Sequence, residues 1–222
     1  MRIDLQLHST YSDGYLTPTQ LVKLMHKNEI KVAAVTDHNT VGGIDEFKIA
    51  CKKYGIKAIP GMELYVKLKN KKFNLLWYNL DITSPELHKM LRDSQTRRRR
   101  QIRKILKKLV KKGFVMEINK TLDRYNHYVP INKIVDELIS VPANYKRIKK
   151  ELDTPYPTEG EIIKEYFRNP SIGILINSYI NVERVVALRE KIGGQLIVCH
   201  PGKHNNAKRE FLAKVKKIGI DG

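Results

Sequence analysis

Four times in this chain a short apolar or β-branched run ends on a side chain of the metal-ligand type. Residues 3–7 (IDLQL) lead into His8 and, across a Ser/Thr/Gly turn, Asp13; VAAVTDH ends on Asp37 and His38, AIPGME on Glu63, and QLIVCH on His200. Runs of this length bounded by turn residues read as buried strands. In folds built from parallel β/α units, the loops after the strands' carboxyl ends converge, and ligands collect there. Four strand ends carrying imidazoles and carboxylates therefore predict one shared site.

The intervening segments support that architecture. Thr17, Pro18 and Gln20 read as a helix start, with Thr17 as N-cap, Pro18 in the first turn and Gln20 closing a capping box. Leu21, Leu24 and Met25 are its expected buried stripe. A second helix carries Ile44, Phe47, Ala50, Cys51 and Tyr54 and ends at Gly55. Residues 57–66 and 73–80 read as a third and a fourth strand. Strand–helix–strand at this spacing predicts an α/β fold of parallel units, in a barrel or an open sheet.

From residue 82 the rhythm changes. Residues 97–112 (RRRRQIRKILKKLVKK) continue a helix opened by SPELHKML. Ile102, Ile105, Leu106, Leu109 and Val110 keep helical spacing on one face, and ten cations are expected on the other, among them Arg97, Arg100 and Arg103. More helical pattern follows at 131–139, 143–152 and 159–167, and the β/α rhythm returns near 182. The expected organisation is a first barrel part at 1–81, a basic helical insertion at 82–181, and a barrel continuation at 182–222, cut short.

Composition matters here mainly through charge. Lys and Arg number 42 against 23 Asp and Glu, a formal net charge of +19. Such an excess points to an anionic partner, with nucleic acid first; a lysine-rich solubilising surface is the plain alternative. No apolar run approaches the ~18 residues of a membrane span, and no signal-peptide h-region opens the sequence. Cys51 and Cys199 form no paired motif, which fits a reducing, cytoplasmic setting.

His8, Asp13, His38, Glu63 and His200 together read as a multinuclear hydrolase site. Such ligands suit zinc, manganese or iron, which polarise a phosphoryl oxygen and acidify a bound water. Taken singly, each has an ordinary structural reading: a hydrogen-bonded core histidine, or for Asp13 a turn cap before Gly14.

LQLHSTYSDG, TDHNT, GMEL and CHPGK, in that order, resemble the successive motifs of the polymerase and histidinol phosphatase (PHP) family. The branch resembled is that of nucleoside-phosphate phosphoesterases and short-RNA 5′-to-3′ exonucleases. The resemblance implies a distorted (β/α)7 barrel with up to three divalent ions at its carboxyl-terminal mouth. It also implies His8 and bridging Glu63 at a first metal, Glu63 and His200 at a second, and Asp13 and His38 at a third. Glu63 and His38 are the implied catalytic residues. The sequence departs from the pattern in four places. Gln6 and Asn74 stand where the family has histidines, leaving amide oxygens as candidate ligands that favour harder ions. A late aspartate and histidine fall beyond residue 222, so the barrel is expected to be incomplete at its C-terminus. Tyr128-Val129-Pro130 replaces a phosphate-binding Arg-Pro-His stretch.

The resemblance thus implies a metal-dependent phosphoesterase acting on nucleotides or short nucleic acids through a metal-bound hydroxide, with Arg97, Arg100, Arg103 and Lys203 holding phosphate. Two alternatives stay open. One is a degenerate PHP-fold protein that binds nucleotide or nucleic acid without hydrolysis; the other is a histidinol-phosphatase-like metabolic enzyme, with which the +19 charge and basic insertion sit less well.

Overall fold

A computed structural model describes residues 1–173, 175–202 and 208–222, without the side chains of Ile176 and Asn177. They form two compact units, one of Met1–Ser94 with Tyr179–Gly222 and the other of Gln95–Ser178.

The first unit is a sheet flanked by helices. Strands β1 (Arg2–Leu7), β2 (Ile30–Val35) and β3 (Lys57–Leu68) pair in parallel, joined through helices α1 (Pro18–Lys27) and α2 (Ile44–Lys53). Thr17, Pro18 and Gln20 form the expected capping box of α1, and Gly55 takes the left-handed φ of +66° after α2. The fourth strand overturns the parallel expectation. β4 (Lys71–Tyr78) runs antiparallel to β3, joined by a two-residue turn in which Lys69 has φ +53°. Two residues can only reverse a chain, whereas a parallel crossover needs a dozen or more. The short β5 (Ile180–Asn181) pairs parallel with β3, and after α8 (Val182–Ile192) comes β6 (Gln195–Val198), antiparallel to β4. Two reversals make β6 run in the direction of β1, β2 and β3, so His8, His38 and His200 follow strands of one sense. The sheet curls into a half-barrel.

Strand alternation sorts the side chains onto two faces. Met62, Leu64, Val66, Phe73, Leu75, Trp77, Leu196 and Val198 are buried with the start of α3 (Pro85–Lys111), α8 and α9 (Arg209–Lys217). On the opposite face Ala34, Leu76, Tyr78 and Cys199 make a small apolar floor with Leu5, Ile59 and Ile197. Glu63 sits opposite Leu76, and Tyr65 opposite Asn74, so these polar residues share the face of that floor. In α1 the expected stripe needs one correction: Leu24 is 49% exposed, and Val22 is buried in its place against α2.

The second unit is helical among its described residues. α3 from residue 95 onward packs Ile102, Ile105, Leu106 and Leu109 against α4 (Ile118–Asp123), α5 (Ile131–Ile139), α6 (Pro142–Glu151) and α7 (Glu159–Ile162), the last continued by a π-helical turn, Ile163–Phe167. The cationic face of α3 is not wholly solvated. Arg98 is 5% exposed, donates from Nε to the Val129 carbonyl at 2.7 Å, and lays its guanidinium 4.2 Å from the Tyr128 ring centre. No helix among the described residues is long and apolar enough to cross a membrane.

Candidate metal centre

The loop after β1 is built to present two ligands. Its backbone closes through Ser12 and Gly14, whose amides both donate to the Ser9 carbonyl at 3.0 Å. Only glycine fits at 14: a Cβ there would stand 2.0 Å from the His8 carbonyl oxygen. The turn folds Asp13 back on His8, with Oδ1 at 3.4 Å from Nδ1. Asp37, at the end of the β2 run, is no part of the ligand cluster. It accepts from the Ser9 amide (2.7 Å), the Ser9 hydroxyl (2.6 Å) and the Ser12 hydroxyl (2.5 Å), and so pins the β1 loop to the β2 loop.

His38 and Glu63 form a parallel backbone bridge, and Asn39, in the left-handed conformation at φ +51°, bonds its side-chain oxygen to the Tyr65 amide at 2.9 Å. Glu63 therefore lies inside β3, as the strand read over residues 57–66 has it, although the AIPGME run ends on it. It reaches the cluster because β3 runs five residues past it, held by β4. Each of the two carboxylates bridges two imidazoles. Glu63 Oε2 is 3.1 Å from His8 Nε2, and Oε1 is 3.2 Å from His200 Nε2; Asp13 Oδ2 is 3.3 Å from His38 Nε2. The His8 and His38 rings stack at 4.5 Å, and the Tyr65 ring covers the other side of His38 at 4.4 Å, its hydroxyl 3.2 Å from Nε2.

Gln6 and Asn74 join the same group. The register of β1 breaks between Asp4 and Leu7, and Gln6 donates from Nε2 to Glu63 Oε2 at 2.8 Å. Asn74 Nδ2 donates to Glu63 Oε1. Glu63 is thus 1% exposed yet ionised. Burial pushes its carboxyl up, but the His8 hydrogen bond, the His38 charge and the Asn74 amide hold it well below the usual range. Asp13 is likewise driven down against burial, mainly by His38 and His8. Burial pulls the His8 imidazole down, but Glu63 and Asp13 outweigh it and raise its pKa above the ordinary value.

This donor set fits divalent ions. The ligand atoms of His8, His38 and Glu63 lie within 4.8 Å of one another, and so do those of Glu63, Cys199 and His200. His200 Nδ1 is buried without a hydrogen-bond partner among the described residues. Asp13 and Glu63 pair with imidazoles, which a cation would displace without stranding any fixed charge.

Of the residues singled out by sequence, the structure brings together Gln6, His8, Asp13, His38, Glu63, Asn74 and His200. Arg97, Arg100 and Arg103 belong to the helical unit. Arg100 is exposed, Arg97 half-buried, and Arg103 donates to Asn119 Oδ1. Lys203 and His204 lie outside the described residues. His127 is exposed, His26 packs on Tyr54 and His88 bonds the Ile82 carbonyl. Sequence reasoning missed Tyr65, Ser9, Ser12 and Cys199 as members of the site. The available signal was position: Tyr65 lies two strand residues from Glu63 and so on its face, and the serines follow His8 in the same loop.

An α/β sheet whose strand ends and loops carry clustered imidazoles and carboxylates defines a metallohydrolase-like architecture. Comparison with known proteins narrows this. Residues 4–84 match the PHP domain model, and over that stretch the chain is similar to that family. It is 27% identical over 224 residues to a 5′-3′ exoribonuclease of Haemophilus influenzae, a match covering 100% of this chain and 77% of that protein. It is 24% identical over 206 residues to a 3′,5′-nucleoside bisphosphate phosphatase of Chromobacterium violaceum, covering 91% and 68%. A crystal structure assigned as a metal-dependent phosphoesterase, from Bifidobacterium adolescentis, shares the fold with a TM-score of 0.80 at 20% identity, over 100% of this chain and 76% of that one.

Proposed function

We propose that this chain is a metal-dependent phosphoesterase acting on phosphate esters of nucleotides or short nucleic acids. The observation that carries the reading is the double bridging of carboxylates: Glu63 between His8 and His200, and Asp13 toward both His8 and His38. His8, Asp13, His38, Glu63 and His200 would hold the ions. When bound, such ions would polarise the phosphoryl oxygen and acidify a water. Glu63, buried and ionised, keeps two imidazoles oriented with their Nε2 atoms inward. Asp13 and Tyr65 do the same for His38 from two sides, and Asp37 fixes the loop that carries His8 and Asp13. Arg97 and Arg100 would neutralise substrate phosphates, a sequence-independent contribution. The relatives named as an exoribonuclease and a nucleoside bisphosphate phosphatase support this substrate class.

The seven-unit barrel, and residues 82–181 as its helical insertion, belong to the same proposal; the shared fold with the solved relative supports them. A second reading, nucleotide binding without hydrolysis, is favoured by one observation. Gln6 and Asn74 turn N–H groups, not oxygens, toward Glu63. Elemental analysis of the purified chain beside His38→Ala and Glu63→Ala, with Mn²⁺-supplemented assays on mononucleotides, histidinol phosphate and short RNA, tests all three readings. Two or more bound ions, lost in the variants, with turnover of nucleotide or RNA, is the expected result. Metal without turnover would favour the binding protein, and preferred hydrolysis of histidinol phosphate the metabolic phosphatase. No metal on a folded chain would sink the phosphoesterase.

A further inference from the structure

We propose that Cys199 is a metal ligand, its thiolate joining Glu63 and His200 around a divalent ion on the β6 side of the cluster. The inference rests on reading the sheet end as a metal centre, and deepens it by assigning a sulfur donor. Alternation along β6 turns Leu196 and Val198 to the helix-covered face and Ile197 and Cys199 to the face that carries Glu63. The next residue should point away. Instead His200 takes φ +32°, a left-handed conformation that non-glycine residues rarely adopt. The result is that neighbouring side chains converge: His200 Nε2 comes to 3.2 Å from Glu63 Oε1, and Cys199 Sγ to 2.9 Å from the Gln6 amide nitrogen, itself 2.8 Å from Glu63 Oε2. The three donor atoms lie within 4.8 Å of one another. Ligands on one tetrahedral zinc stand about 3.3–3.7 Å apart, given bonds of about 2.0–2.3 Å, so closure needs only small shifts.

The chemistry of the surroundings points the same way. Gln6 and Asn74 supply only neutral amides, weak donors for soft or borderline ions, and a thiolate would restore both charge and softness at this end. The other cysteine shows what a purely structural thiol looks like here. Cys51 is fully buried in the apolar cluster of Val22, Ile44 and Phe47, and burial pushes its thiol up to about 11. Cys199 is as deeply buried, yet touches an amide and shares a ligand group with a carboxylate and an imidazole. On coordination the S–H bond breaks heterolytically: sulfur keeps the electron pair and donates it to the ion, and the proton leaves to solvent.

Cobalt(II) titration of the full chain tests this optically. The expected result is visible d–d bands together with a near-ultraviolet sulfur-to-cobalt charge-transfer band. Cys199→Ser should lose the charge-transfer band and keep the d–d bands, while Cys51→Ser keeps both. If Cys199→Ser does not fold, Cys51→Ser decides alone, because the chain has only two cysteines and any sulfur band then belongs to Cys199. Cobalt bound without a sulfur band in the wild type and in Cys51→Ser would overturn the assignment of Cys199 while leaving the metal centre standing. No bound cobalt would overturn both.

Discussion

Glu63 and Arg98 are deeply buried charges, one in each unit, 1% and 5% exposed, and each is compensated by a different kind of partner. Glu63 is surrounded by side chains that can let go: two imidazoles and two amides that can rotate away. Arg98 is held by a backbone carbonyl and the face of a buried tyrosine, neither of which can move without unfolding its surroundings. Removing one partner of a buried charge is costly in either place. Only at Glu63 can the compensation be handed to an incoming ion. A buried charge with exchangeable partners marks a binding site, and one with fixed partners marks a structural tie.

The largest effect that separates the two is functional. Glu63→Ala should empty the centre and lower phosphoesterase turnover by at least about 10³, the upper end of what losing one electrostatic stabiliser removes. The helical unit should keep its circular dichroism. Arg98→Ala should do the reverse. Losing a charged hydrogen bond and a cation–π interaction costs about 2–4 kcal/mol, visible as a lower urea midpoint, while metal content of the folded chain stays at wild-type stoichiometry. Arg98→Lys should recover little, since an ammonium cannot both reach the Val129 carbonyl and lie flat on Tyr128. If Arg98→Ala instead lost metal and kept its stability, the distinction between exchangeable and fixed compensation would collapse.

A pH titration of metal-free protein sharpens the comparison further. Asp13 and Glu63 have lowered pKa values, so their contribution is present above the ordinary carboxylate range, near 4, and is lost as pH falls toward their folded values. His8 is raised, so its contribution is complete below its ordinary value of about 6.5 and lost as pH rises through the folded one. Metal-free stability should therefore be greatest between about pH 4.5 and 6.5 and decline on both sides. Metal affinity should rise with pH instead, because an ion must displace the His8 proton. Thermal melts with and without Mn²⁺ across about pH 2–9 check both limbs; a metal-free melting temperature flat across that range would contradict the assigned couplings.

Much of this was legible from residue order. The capping box at Thr17, the glycine after α2, the long helix through 97–112 and the clustering of His8, Asp13, His38 and His200 all follow from local rules of capping, periodicity and strand-end delivery. What escaped depends on pairing and direction. Antiparallel β4 was hidden because the Lys69-Asn70 turn lacks the Asn-Gly or Asp-Gly that announces a tight hairpin, and a strand's periodicity is the same in either direction. The AIPGME run put Glu63 at its end although the third strand was read on to Val66, and pairing with β4 carries β3 to Leu68. Arg98 read as one of ten equivalent cations, since nothing in a run of arginines says which of them finds a carbonyl. Cys199 was overlooked because its role depends on the backbone turn at His200, a conformation that no residue type there announces.

The smallest expected effects concern Arg97 and Arg100, and they test whether the arginine run holds substrate at all. Arg97 and Arg100 form no ion pair among the described residues, in contrast to Arg98, Arg99 and Arg103, which bond to Val129, Tyr125 and Asn119. Neutralising either by substitution with Gln should change stability by no more than about 0.5 kcal/mol. If they bind phosphate, each substitution should weaken binding of a short single-stranded RNA with little regard to its sequence. It should also reduce the slope of log affinity against log salt by about 0.7 for each phosphate no longer neutralised. Arg103→Gln serves as the internal contrast, because its guanidinium is already committed to Asn119. An unchanged salt slope in the Arg97→Gln and Arg100→Gln double variant would reduce the run to a solvated helix face and leave substrate recognition to the sheet unit.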